Sequence, residues 1–127
     1  MIFEIASKLI NQKTPHIKKR FFQDPDENVM IYIWQNLNDL NNSNLGVERF
    51  QISFGSNFIE WVVGKGVAFA TVDDGDGMVG ISGSPVLFFK KDINIKVLNE
   101  FFIYFDKNID KNIKELLLIQ GILQKLK

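Results

Sequence analysis

The sequence predicts an α+β domain. It is read as an antiparallel meander of about five strands, over roughly residues 47–90, flanked by N-terminal helices and C-terminal helices. Three observations lead there. Between residues 47 and 90, short apolar runs are separated by Gly-rich turns, and loops that short join antiparallel neighbours. On either side of that stretch, apolar residues recur at three- and four-residue spacing, the helical period. The chain has 127 residues and no low-complexity linker, so residues 1–127 are read as a single domain around one core.

The elements follow in chain order. Residues 2–12 put Ile2, Ile5, Ala6, Leu9 and Ile10 near one helical face. Thr14-Pro15 reads as the cap and first position of a short second helix, with Ile17 and Phe21 inward and Lys18-Lys19-Arg20 outward. Asp24-Pro25-Asp26-Glu27 carries a cap, a first-turn proline and an acid at the capping-box position, and Met30, Ile33, Trp34, Leu37 and Leu40 follow at helical spacing. A helix is therefore expected from Pro25 to Leu40, then a loop over Asn41–Gly46.

At Arg49 the period changes to two. Phe50, Ile52 and Phe54 alternate with Arg49, Gln51 and Ser53, as in a half-buried strand. Turns at Gly55-Ser56-Asn57, Gly64-Lys65-Gly66, Asp73–Gly77 and Ser82–Pro85 lead into strands at Phe58–Val63, Val67–Val72, Met78–Ile81 and Val86–Phe89. Several of these are apolar on both faces, so helices must cover the sheet. Asp92 is expected to cap a helix carrying Val97, Leu98, Phe101, Phe102 and Phe105. A last helix from Asp110 carries Ile113, Leu116, Leu117, Ile119, Leu123 and Leu126.

Composition narrows the function classes. There is no cysteine, which excludes disulfides, thiolate metal sites and a cysteine nucleophile. The N-terminal run Met1-Ile2-Phe3-Glu4 has an acid where a signal peptide carries cations, and no apolar run reaches the roughly 18 residues of a membrane span. A cytoplasmic protein without membrane contact is expected. The net charge is zero but uneven. Acids dominate from Gln23 to Asp76, and both ends are rich in lysine.

No catalytic constellation emerges. His16 is the only histidine and reads as a surface residue beside a basic run. Gly80-Ile81-Ser82-Gly83-Ser84 lacks the spacing and following helix of a nucleophile elbow. Asp73, Asp74 and Asp76 lie in a glycine-bearing turn without the closing acid of a calcium loop. Gly64-Lys65-Gly66 has no Walker spacing. Lys18, Lys19 and Arg20 beside Phe21 and Phe22 are too few for a nucleic-acid stripe, and both phenylalanines are assigned to the core. Trp34 and Trp61 are read first as core residues. No catalytic residue, metal ligand or cofactor is therefore assigned, and nucleic acid is not expected as a partner.

What remains is binding to protein. Asp73, Asp74 and Asp76, with Glu60 and Glu48 as secondary members, are the candidate partner-facing residues, because a dense acidic patch complements a basic cleft and speeds association. The segment Val67-Ala68-Phe69-Ala70-Thr71-Val72-Asp73-Asp74-Gly75-Asp76-Gly77, within a cysteine-free helix–sheet–helix chain of this length, resembles the immunity proteins of bacterial polymorphic-toxin systems, contact-dependent growth inhibition among them. The resemblance implies a non-enzymatic inhibitor that binds a cognate toxin domain, many of which are nucleases with cationic sites. Two rivals stand beside it. One is a small-molecule-binding or enzymatic domain with a pocket between the sheet and the Phe-rich helix. The other is an assembly protein dimerising through Leu117, Leu118 and Ile119 of the last helix.

Overall fold

A computed structural model describes residues 2–9, 16–73, 86–90 and 95–126, with the backbone alone described for 6–9, 71–73 and 86–90. Among the described residues, seven strands form one antiparallel sheet in which each strand pairs with the next in sequence. They are β1 (Phe3–Leu9), β2 (Ile17–Asp24), β3 (Val29–Asn36), β4 (Val47–Phe54), β5 (Asn57–Val62), β6 (Gly66–Asp73) and β7 (Val86–Lys90). Two helices follow, α1 (Ile95–Asn108) and α2 (Lys114–Gln124). The α+β class and the C-terminal helices stand as expected, as do the strands at 50–54, 58–63 and 67–72. The expected strand at 78–81, the turn at 82–85 and Asp92 lie outside the described residues.

The N-terminal helices are not there. Residues 3–9, 17–24 and 29–36 are strands, and they add three members to the sheet. Thr14 and Pro15 lie outside the described residues. The physical reason is clearest in β3, where burial alternates without a break. Val29, Ile31, Ile33 and Gln35 are buried, while Met30, Tyr32, Trp34 and Asn36 are half-buried on the other face. Its β-branched and aromatic side chains suit a pleated surface better than a helix. An isolated helix as short as 2–12 would also be marginal in water.

The capping signal at Asp24 is real, but what it caps is a hairpin. Asp24 Oδ1 accepts from the backbone N–H groups of Asp26 and Glu27 at 3.2 and 3.4 Å. Pro25 to Asn28 turn the chain, and Asn28 closes the loop with φ of +54°, so that Val29 lies opposite Asp24. Asparagine tolerates that left-handed conformation. A short 3-10 turn (Leu37–Asp39) then leads through an exposed loop to Gly46.

The helices cover one face of the sheet. Leu98, Phe101 and Phe105 of α1 and Leu116, Ile119 and Leu123 of α2 are fully buried with Phe22, Ile31, Ile33, Phe50, Ile52 and Ile59 from the strands. Phe101 packs on Phe105 at 4.7 Å between ring centres and meets Phe54 edge-on at 6.1 Å. Side-chain bonds fasten the layers. Tyr104 of α1 donates its hydroxyl to Asp24 at 2.6 Å, and Arg20 of β2 bridges Glu4 of β1 and Glu115 of α2, each at 2.7 Å. Glu115 also accepts from the buried Gln35 side chain at 3.2 Å. Arg20 thus faces the helices, not solvent as its place in an N-terminal helix would have had it. Asp110 turns the chain between the helices, and Ile113 takes the cap position of α2 without a side-chain bond. Among the described residues, no helix is long and apolar enough to cross a membrane.

Candidate functional site

With α1 and α2 on one face, the opposite face of β2–β5 carries no helix among the described residues. Strand parity decides what stands there. Lys19, Phe21, Met30, Tyr32, Trp34, Arg49, Gln51, Phe58 and Glu60 all fall on it and all are half-buried. Cross-strand register groups them. Lys19 lies opposite Trp34, and Trp34 opposite Arg49. One step along, Phe21 lies opposite Tyr32, Tyr32 opposite Gln51, and Gln51 opposite Glu60.

These positions produce a connected network of rings and cations. Phe21 and Tyr32 stack with ring centres 4.7 Å apart and planes 19° from parallel. Tyr32 and Trp34 follow at 6.2 Å. The Lys19 ammonium rests 4.6 Å from the Tyr32 ring centre and 5.0 Å from that of Trp34. The Arg49 guanidinium lies 4.7 Å from the Trp34 ring. Trp34 is thus approached by two cations, each contributing about 0.5–1 kcal/mol at a partly exposed site. Arg49 continues to Glu60, with Nε at 2.9 Å and Nη2 at 2.5 Å from Oε2, and Gln51 donates to the same oxygen at 2.6 Å. Burial pushes the Glu60 carboxyl up, but the Gln51 and Arg49 bonds outweigh it and hold the group below the ordinary glutamate range.

The residues named from sequence fall in different places. Glu60 sits on this face, already engaged by Arg49 and Gln51. Glu48 occupies the bulge where β4 shifts register against β3, and it accepts from Asn36 Nδ2 at 2.9 Å. Asp73 is the last residue of β6, opposite Val86, while Asp74 and Asp76 lie outside the described residues. Glu60 faces Ala68, and Asp73 is five residues further along that strand (73 − 68 = 5), about 16 Å away at the usual rise. Of the two phenylalanines assigned to the core, Phe22 is there and Phe21 is not. Of the two tryptophans, Trp61 is buried against Phe50 at 5.4 Å and Trp34 is on the helix-free face. Leu117 of α2 stays exposed, while Leu118 packs against the core.

Lys19, Phe21, Tyr32, Trp34, Arg49 and Gln51 were not assigned to a site from the sequence. The signal that finds them is parity: read as a strand, 29–36 sends Tyr32 and Trp34 one way and Ile31 and Ile33 the other. His16 offers only its carbonyl, to Leu37 N–H at 2.7 Å. Among the described residues, no three His, Asp or Glu side chains gather as a metal site. Comparison with protein-family models, with curated proteins and with solved structures finds no match for this chain.

Proposed function

We propose that this protein is a non-enzymatic binding domain that neutralises a cognate protein, the role implied by its resemblance to bacterial immunity proteins, and that the partner docks on the helix-free face of the sheet. One observation carries the reading. That face presents Phe21, Tyr32, Trp34, Lys19 and Arg49 side by side on rigid strands, half-buried and held by one another. Tryptophan, tyrosine and arginine are the residue types on which binding energy concentrates, and pre-ordered side chains lose little entropy on association.

The test is co-expression with the product of the adjacent upstream reading frame, followed by size-exclusion chromatography and a growth assay. The expected outcome is a stable complex and rescue of growth when that neighbour is toxic. Trp34→Ala should weaken the complex by about 2 kcal/mol, roughly thirty-fold in Kd, without unfolding the protein. A neighbour that is harmless and elutes apart would end the toxin-neutralising reading. A complex indifferent to Trp34→Ala would move the docking surface elsewhere, with Asp73, Asp74 and Asp76 as the next residues to substitute.

A further inference from the structure

We infer that Asn42 is a self-modifying site, whose side-chain amide is lost to attack by the Ser43 backbone nitrogen with water as the only co-reactant. The inference is independent of the docking face and of any partner. It begins with the sequence. A backbone nitrogen reaches the side-chain carbon of the preceding asparagine most readily where its own side chain is small. Of the chain's asparagines, only Asn42 is followed by a residue as small as serine, and none is followed by glycine. The structure then puts Asn42 and Ser43, both exposed, in the loop between the 3-10 turn and β4.

Hydrogen bonding in the loop leaves one backbone nitrogen without an acceptor, and it is the one the attack requires. Asn42 N–H donates to the Asp39 carbonyl at 3.1 Å, Leu45 N–H to the Asn42 carbonyl at 3.1 Å and Val47 N–H to the Asn44 carbonyl at 2.9 Å. Asn44 N–H and Gly46 N–H both donate to Asn42 Oδ1, each at 2.9 Å. From Asn42 to Val47, Ser43 N–H alone has no acceptor among the described residues. The bond from Asn44 closes a ring that runs through Asn42 Cγ and the Ser43 nitrogen, so nucleophile and carbon are held in one turn. The two N–H groups on Oδ1 stand where negative charge develops when that carbon is attacked. Once hydroxide removes the Ser43 N–H proton, the nitrogen bonds to Cγ and the carbonyl electron pair moves to Oδ1. Collapse expels the side-chain nitrogen, which takes a proton from water and leaves as ammonia. The cyclic imide that remains takes up water to give aspartate or isoaspartate. Asn36 is the contrasting case. Its Oδ1 accepts from Asn38 N–H at 2.9 Å in the same kind of turn, but the following nitrogen, that of Leu37, already donates to the His16 carbonyl at 2.7 Å.

The experiment incubates the full chain at neutral and mildly alkaline pH and maps it by peptide mass spectrometry, with isoaspartyl methyltransferase labelling for the rearranged product. A synthetic peptide of residues 38–47 is the unfolded reference. Asn42 is expected to convert before any other asparagine, faster as pH rises, and at least as fast in the folded chain as in the peptide. Asn36 should keep its amide over the same period. Ser43→Val, which crowds the nucleophile, should lose the conversion, and Ser43→Gly should hasten it, with circular dichroism confirming that each variant is folded. The inference is overturned if another asparagine converts first, if Asn42 converts more slowly in the folded chain than in the peptide, or if Ser43→Val converts undiminished. Should the valine variant fail to fold, Ser43→Gly decides, and a glycine variant no faster than the unaltered chain overturns the inference.

Discussion

At the scale of single residues, Asp24 shows how one side chain joins three levels of structure. Its Oδ1 holds the hairpin N–H groups of Asp26 and Glu27, and its Oδ2 receives the Tyr104 hydroxyl from α1 at 2.6 Å, all within a side chain that is 1% exposed. The Tyr104 bond is the chief reason the Asp24 carboxyl lies below its ordinary range, against the upward push of burial. In return, burial and the Asp24 carboxylate push the Tyr104 hydroxyl well above the usual tyrosine value. Removing the hydroxyl with Tyr104→Phe leaves a buried carboxylate one donor short and should cost about 1–3 kcal/mol in urea unfolding; a neutral result would mean the bond is not formed in solution. The same chemistry sets a pH dependence. Asp24, Glu60 and Glu115 are all held below their ordinary values, Glu115 because the bonds from Arg20 and Gln35 outweigh its burial. Unfolded carboxyl groups titrate near about pH 4. Above that pH all three stabilise the fold in full, and the contribution drains away as pH falls through their lower folded values. Thermal midpoints should therefore be level from neutral pH to about pH 5 and decline below about pH 4. The decline should be shallower in Tyr104→Phe, in which Asp24 loses the main cause of its shift.

At the scale of elements, the hairpins and loops put hard limits on particular residues. Gly46 closes the loop into β4 with φ of +77°, and a Cβ there would overlap the Asn36 carbonyl oxygen. That oxygen belongs to the backbone and cannot swing aside, so Gly46→Ala should destabilise by about 2 kcal/mol or more. Gly55 and Gly64 also have positive φ, but nothing stands within 4 Å of the added carbon. Alanine there should cost only the backbone term, about 1 kcal/mol, and chemical denaturation of the three variants measures the contrast. The Gly55 and Gly64 turns were legible in the sequence because their glycines interrupt apolar runs, and α1 and α2 because their apolar stripes keep helical spacing over several turns. The first half of the sheet was not legible. Residues 29–36 are apolar on both faces, so alternation is hidden, and Met30, Ile33 and Trp34 meet the helical spacing by coincidence. Asp24-Pro25-Asp26-Glu27 strengthened that coincidence, since a helix start and a tight turn both place an acceptor over free N–H groups. The candidate site was lost with it, because Phe21, Tyr32 and Trp34 share a face only if β2 and β3 are strands. Glu60 alone was found, in a stretch whose strand was plain. Truncation checks the parity. Ile33→Ala should cost about 2–5 kcal/mol, whereas Trp34→Ala, at the neighbouring position on the half-open face, should cost under about 2 kcal/mol in stability. A helix would have turned both side chains inward and made both costly.

At the scale of the whole molecule, the fold is one sheet with two unlike faces. The C-terminal helices lie on one of them and are fastened chiefly to its first half, through Arg20 to Glu115, Asp24 to Tyr104 and the bond from Ile2 N–H to the Asn108 carbonyl at 3.2 Å. Residues distant in sequence thus hold the cover in place, and the meander depends on a part of the chain made after it. Removing residues 95–127 would expose Phe22, Ile31, Ile33, Phe50, Ile52 and Ile59, all fully buried in the intact chain. Each loses about 1.5–3 kcal/mol of burial. That loss is of the order of the entire net stability of a small domain, about 5–15 kcal/mol, so the truncated chain should be insoluble or unfolded by circular dichroism. The other face should respond differently if it is a docking surface. Phe21→Thr, Tyr32→Thr and Trp34→Thr combined replace as much aromatic area as a severe core truncation, yet they keep β-forming residues and remove no contact with the helices. The triple variant should stay folded, with a lowered midpoint but an unchanged denaturant slope, and should lose its partner. Were it to unfold as completely as the chain lacking its helices, the rings would belong to the framework of the sheet, and the docking surface would have to be sought at its edges.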